Sequence, residues 1–173
     1  MLKNNRLIIL GGIDAGKSTL TDALLGKDRK SKKVKTQSLV YDNWIVDTPG
    51  EYIENPLYYR TIMATSMEIT HVMFVQDSTN DKTIFAPGFS SGINKLSIGV
   101  VTKIDHEDAD IERSIELLKK TLVRGPIILT SAFTGEGLEF IYDLMKLNSM
   151  KEMKKYVDNS DSDQIIFHEF RRK

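Results

Sequence analysis

Eight consecutive residues constrain this chain more than any others: Gly11, Gly12, Ile13, Asp14, Ala15, Gly16, Lys17 and Ser18, a Gly-x4-Gly-Lys-Ser run. The apolar stretch at 7–10 precedes it. A helical pattern over 16–26 follows, carrying Leu20 and Leu24 one turn apart and closed by Gly26. A glycine-spaced turn between a buried strand and a helix start is the setting of a phosphate-binding loop. Glycines let the backbone wrap closely around phosphate with its amide hydrogens pointing inward. The helix N-terminus adds its positive dipole end, where Thr19 also lies. Lys17 is expected to neutralise the β- and γ-phosphates, and Ser18 to ligate Mg²⁺.

The rest of the chain alternates in the same way. Residues 38–47 read as two strands joined at Asp42-Asn43. Residues 53–69 read as one helix with Tyr58, Ile62 and Ile69 in register. Runs at 72–75, 98–101 and 127–129 read as further buried strands. Ile111, Ile115, Leu118 and Leu122 fall on one helical face, and Gly125-Pro126 is expected to end that helix. Leu138, Ile141 and Met145 belong to a last helix, which residues 149–156 extend. This alternation predicts an α/β fold of three layers with a mostly parallel sheet. Residues 1–148 form the expected domain. Residues 149–173 read as a C-terminal appendage, either docking on a partner or packing in cis as an extra edge strand or helix.

Composition removes several classes of function. With 24 basic and 24 acidic residues in 173, the net charge is zero. Broad electrostatic binding to nucleic acid or anionic lipid is therefore not expected. Cysteine is absent, so neither disulfides nor thiolate metal sites arise. No apolar run approaches the roughly 18 residues of a membrane span, and the N-terminus lacks signal-peptide architecture. The expected location is cytoplasmic.

Three shorter motifs follow the loop in order, each at the end of a predicted strand. Asp47-Thr48-Pro49-Gly50 places an acid that can hold Mg²⁺ through water and a Gly50 amide that can reach the γ-phosphate. By itself it is also an ordinary turn. Thr102-Lys103-Ile104-Asp105 offers a carboxylate to the two neighbouring donors of guanine, a pair that adenine lacks. The Lys103 stem can lie along the purine. The backbone of Ser131-Ala132 can touch the guanine oxygen. Ligands bind at this edge of open α/β sheets.

In this order the motifs resemble the small GTPases of the translation-factor and Era-like class. Lys35-Thr36-Gln37, Asp47-Thr-Pro-Gly-Glu-Tyr52, Pro87-Gly88-Phe89 and Val101-Thr-Lys-Ile-Asp105 narrow the resemblance to the EutP/PduV family. It covers residues 4–147. Members accompany ethanolamine and propanediol utilisation and bacterial microcompartments. The resemblance implies a P-loop nucleotide-binding fold that takes GTP or GDP with Mg²⁺. A microcompartment shell protein or pathway enzyme is the implied partner. An acetate kinase activity using ATP is also attributed to the family, although this sequence displays no acetate site and no arginine-rich lid. A structural adaptor with nucleotide as a folding cofactor is a third reading.

Carried over residue by residue, the resemblance makes Thr36 the candidate switch threonine on Mg²⁺, with Ser31 and Ser38 as competitors. Lys17, Thr36 and Gly50 form the expected catalytic set, and Ser18, Thr36 and Asp47 the metal set. Thr102 replaces a common Asn, at an expected loss of one hydrogen bond worth roughly 1 kcal/mol. Glu51 stands where a water-orienting Gln is usual, so slow hydrolysis is expected. Asp14 occupies the position at which potassium-activated relatives carry Asn. It is expected either to hold K⁺ against the phosphates or only to tune the loop. The basic loop at 27–35 reads as a solvated segment. His71, His106 and His168 read as surface or satisfied histidines. Met63 and Met67 read as packing residues. Tyr52, Tyr58 and Tyr59 face either a partner or the core.

Overall fold

A computed structural model describes residues 5–27 and 39–170. The candidate switch residues Thr36, Ser31 and Ser38, and most of the basic loop, lie outside them.

The first strand, β1 (Leu7–Gly11), is buried along its whole length, as its unbroken apolar run requires. Helix α1 (Lys17–Leu24) follows the loop and buries Leu20 and Leu24. Strands β2 (Val40–Asp42) and β3 (Ile45–Asp47) form the expected hairpin. Its turn centres on Asn43, which takes the left-handed conformation (φ 56°) that Asn tolerates. Next come α2 (Glu51–Glu54), a 3₁₀ turn at Pro56–Tyr58, α3 (Tyr59–Ser66), β4 (His71–Asp77), β5 (Leu96–Thr102), α4 (Ile111–Thr121) and β6 (Arg124–Leu129). The chain continues through α5 (Leu138–Leu144), α6 (Met150–Asp158) and β7 (Ile165–Glu169).

The seven strands run in the order β2-β3-β1-β4-β5-β6-β7. Strand β1 pairs parallel with β3 and β4, with Leu7 level with Ile45 and His71, and β4–β5 and β5–β6 are also parallel. The two edge pairs, β2–β3 and β6–β7, are antiparallel. Alternate side chains enter opposite faces. Leu7, Ile9, Met73 and Val75 meet α1, α5 and α6 on one side. Ile8, Leu10, Val72 and Phe74 meet α2, α3 and α4 on the other. The expected three-layer α/β fold of the P-loop NTPase type is thus present.

Four expectations about elements change. The single helix over 53–69 is broken, because Pro56 holds Asn55 extended (φ −117°, ψ 114°) and removes an amide donor. Ile62 and Ile69 are buried as expected, whereas Tyr58 is exposed and Met67 is 83% exposed. Gly125-Pro126 does not end α4, which stops at Thr121; the pair lies inside β6. Gly125 has φ 150°, and a Cβ there would meet the Ser97 carbonyl oxygen at 2.3 Å. Only glycine allows β6 to approach β5 so closely. Residues 149–156 do not extend α5 but open α6. Ser149 Oγ accepts from Glu152 N at 3.2 Å, and Glu152 Oε2 accepts from Asn148 N at 2.8 Å, a reciprocal cap that starts a new helix.

The described part of the segment expected as an appendage is packed in cis. Met153 is fully buried, Val157 and Ile165 lie in the same cluster as β1, and β7 closes one sheet edge on β6. Truncation after Asn148 is therefore expected to unfold or aggregate the protein. Met153→Ala alone should cost about 2–5 kcal/mol, read from the urea midpoint. A truncated protein with unchanged stability would contradict this packing.

His71 begins β4 and is fully buried. Its Nε2 donates to Leu147 O at 3.1 Å, which leaves Nδ1 to accept from Thr70 Oγ1 at 2.7 Å. Burial pushes its pKa down to about 4, against the partial opposition of the backbone carbonyls of Leu147 and Leu144. The unfolded chain takes up this proton near pH 6.5, before the folded protein does. Stability is therefore complete above about pH 6.5 and falls as the pH drops towards 4, by about 3 kcal/mol in all. Urea midpoints between pH 7 and 5, together with an NMR titration of the ring, test this. A His71 that titrates near 6.5 would contradict it.

Candidate functional site

The loop begins where β1 ends at the sheet edge. Gly16 caps α1 in the left-handed conformation (φ 91°), with no side-chain cap and no acid in the first turn. A helix N-terminus of this kind suits an anion. Lys17 is buried, and its Nζ donates to Gly11 O at 2.9 Å and Gly12 O at 2.6 Å. Burial lowers its pKa, against attraction from Asp47, Glu54, Asp14 and Glu51 in that order. The ammonium is thereby stored on loop carbonyls beside the place where phosphate would lie.

Asp47 ends β3 level with Ile9, one pairing away from the loop. Ser18 Oγ donates to Asp47 Oδ2 at 2.9 Å. A hydroxyl and a carboxylate side by side fit a hard divalent cation such as Mg²⁺, which keeps water and phosphate as its other ligands. Among the described residues no group of three or more His, Cys, Asp or Glu side chains could hold a metal by itself. Thr48 Oγ1 donates to Ile9 O at 2.6 Å and pins the next turn under β1. Gly50 then meets the loop directly, since a Cβ on it would lie 2.6 Å from Ile13 N. Any side chain there would push α2 off the loop.

The third motif is tied to the first. Thr102 Oγ1 donates to Ala15 O at 2.7 Å, so the residue that replaces Asn still bonds the loop. Lys103 takes φ 60°, and its Nζ donates to Asp14 O at 2.9 Å and to Asp77 Oδ2 at 2.5 Å. Burial pushes the Asp77 carboxyl up, but Lys103 and Thr79 outweigh it and hold the pKa below its usual value. Asp105 stands exposed just beyond. Ser131 is buried, and its Oγ accepts from the amides of Phe133 and Thr134 at 3.1 Å each. That hydroxyl shapes the turn, and Ala132 is half-buried beside it.

The structure thus brings residues 11–19, Asp47, Gly50, 102–105 and 131–132 to one edge, the carboxyl ends of β1, β3, β5 and β6. Thr36 lies outside the described residues. The cavity at the loop, lined in part by Gly12, Ile13, Gln76 and Asp77, holds about 20 Å³. A cavity of about 560 Å³ opens at the opposite edge, beside Thr70, Lys95, Ser97 and Arg124.

Two contributors were missed in the sequence. Asp77, which fixes Lys103, carries a weak signal as an acid directly after a strand. Glu54 carries none: its Oε1 accepts from Ile13 N at 3.3 Å, across 41 residues of sequence. Attention in the sequence falls on Glu51, at the start of α2; both it and Glu54 are exposed. The carboxylate that reaches the loop is the one at the far end of that helix. Of the tyrosines, Tyr52 stacks on Tyr58 with ring centroids 4.5 Å apart, and Tyr59 packs edge-on against Phe89.

Comparison with known proteins agrees with this architecture. The family profile for ethanolamine and propanediol utilisation, PduV-EutP, matches residues 4–147. The propanediol utilization protein PduV of Citrobacter freundii is 30% identical over 140 residues, 79% of this chain and 90% of its own. Proteins named probable acetate kinase EutP are similar too. That of Escherichia coli is 27% identical over 159 residues, covering 90% of this chain and 99% of its own. That of Salmonella typhimurium is 30% identical over 150 residues, covering 85% and 92%. The chain belongs to the PduV-EutP family of ethanolamine and propanediol utilisation proteins.

Proposed function

We propose that this protein binds GTP and GDP with Mg²⁺ and hydrolyses GTP slowly, as a nucleotide-controlled component of ethanolamine or propanediol utilisation. The observation that carries this reading is the double tie between the third motif and the phosphate loop. Thr102 bonds Ala15 O and Lys103 bonds Asp14 O, at 2.7 and 2.9 Å. A segment locked to the loop in this way holds Asp105 in a fixed relation to the phosphates, as recognition of a base requires.

In this reading Lys17 leaves the carbonyls of Gly11 and Gly12 to meet the β- and γ-phosphates. Ser18 and Asp47 hold Mg²⁺, which neutralises charge on the phosphate oxygens when bound. The Gly50 amide faces the γ-phosphate. Water takes the phosphoryl group, and GDP and phosphate leave. The partner that reads the nucleotide state is a microcompartment shell protein or a pathway enzyme.

Three curated relatives bear the name probable acetate kinase, which favours a second reading. There the γ-phosphoryl of ATP passes to a carboxylate oxygen of acetate, giving acetyl phosphate and ADP. One titration series separates the two. In the first reading GTP and GDP bind at least about tenfold tighter than ATP and ADP, because the carboxylate of Asp105 pairs only with guanine. Asp105→Asn should erode that preference and favour xanthine nucleotides. Equal affinity for ATP and GTP, with acetyl phosphate formed when acetate is added, selects the kinase.

The potassium expectation attached to Asp14 belongs to the first reading. GTP hydrolysis should run several-fold faster in K⁺ than in Na⁺ at equal ionic strength, which holds screening constant. The stimulation should vanish in Asp14→Ala. Equal rates in both salts return Asp14 to a loop-shaping role.

A further inference from the structure

The loop has two ends with different tasks. The helix end, Gly16 to Ser18, presents the first amides of α1 and suits the inner phosphates. The strand end, at Ile13, lies against Gly50 and, in the nucleotide-binding reading, would meet the outermost phosphate. At that strand end a carboxylate is already in place. Glu54 Oε1 accepts from Ile13 N at 3.3 Å and lies 3.7 Å from the position a Cβ on Gly12 would take.

The side chain of Glu54 is exposed, but the backbone that carries it is held by its surroundings. Glu54 is the last residue of α2, which Pro56 prevents from continuing. Its neighbour Ile53 is buried in the core, and Ile53 O accepts from the Tyr59 hydroxyl at 3.3 Å. The stacked pair Tyr52–Tyr58 spans the break. The close approach of Gly50 to Ile13 fixes the other end of the helix. After Asp47, Glu54 is the carboxylate that acts most strongly on Lys17.

We propose that Glu54 sets the choice between diphosphate and triphosphate, by occupying the amide and the space that a terminal phosphate needs. This rests on the nucleotide-binding reading of the loop. A diphosphate fills the helix end and leaves the Glu54–Ile13 contact intact. A triphosphate extends to the strand end and meets the negative charge of Glu54. It must break that contact and move the end of α2. Glu54 is thus a specificity-determining residue that favours the diphosphate state until α2 is drawn away.

The test uses calorimetric titration of the full chain in Mg²⁺ with GDP and a non-hydrolysable GTP analogue, and in parallel with ADP and the matching ATP analogue. Glu54→Gln keeps the size and removes the charge, and Glu54→Ala removes both. Glu112→Gln, exposed on α4, controls for net charge, and thermal melting checks that each variant folds. Both Glu54 variants should raise triphosphate affinity at least about fivefold while diphosphate affinity changes less than about twofold. Glu112→Gln should leave the ratio unchanged. An unchanged ratio in both Glu54 variants, an equal rise for both nucleotides, or a fall for the triphosphate would overturn the inference. If the adenine pair rather than the guanine pair shows the effect, the inference stands and the guanine reading falls. If no variant binds any nucleotide, both fall.

Discussion

The position of β1 in the middle of the sheet governs everything at the edge that carries the glycine-rich loop. It is paired with a parallel strand on each side, and no residue of it reaches solvent. Its side chains are apolar on both faces and must be covered on both, and α1, α5 and α6 lie on one side and α2, α3 and α4 on the other. Parallel pairing also brings the ends of β1, β3, β4, β5 and β6 to the same edge. Gly11, Asp47, Asp77, Thr102 and Leu129 end these strands, and the motifs follow from them. The loop and its three companion motifs, far apart in sequence, are thus gathered by one pattern of backbone hydrogen bonds.

At that edge the loop is held by donors on its carbonyls. Lys17 bonds the carbonyls of Gly11 and Gly12, Lys103 that of Asp14, and Thr102 that of Ala15. A loop whose amides point inward exposes its carbonyls outward, and buried carbonyls need donors. The two lysines therefore both support the shape of the loop. Lys103 is anchored on the carboxylate of Asp77, whereas Lys17 rests on the carbonyls of Gly11 and Gly12.

The other edge of the sheet is structural. Asn5 Nδ2 donates to Met145 O at 2.8 Å, and His71 Nε2 donates to Leu147 O at 3.1 Å, which pins the turn between α5 and α6. From there α6 buries Met153 and the chain returns as β7. Arg124 on β6 lies 3.1 Å from Glu169 on β7. Among the described residues no helix is long and apolar enough to cross a membrane. Ile165, Ile166 and Phe167 of the tail pack within the domain, whereas Phe170 is exposed.

The sequence by itself determined the alternation of elements, the loop and the order of its companion motifs. Those features rest on local causes: apolar runs of strand length, helical spacing, and glycines where backbone must approach phosphate. The Ser149-x-x-Glu152 cap of α6 was also legible in principle, because it too is local. Only the tertiary structure decided the rest. Whether Gly125-Pro126 ends a helix or enters a strand depends on how near β5 runs, and local propensity carries no record of that distance. Whether the tail docks outward or packs inward depends on a free edge at β6. Which acid reaches the loop depends on Pro56 cutting α2 to four residues and on Gly50 letting it lie against Ile13. Glu51 and Glu54 are one turn apart in one short helix, and only the packing of that helix distinguishes them.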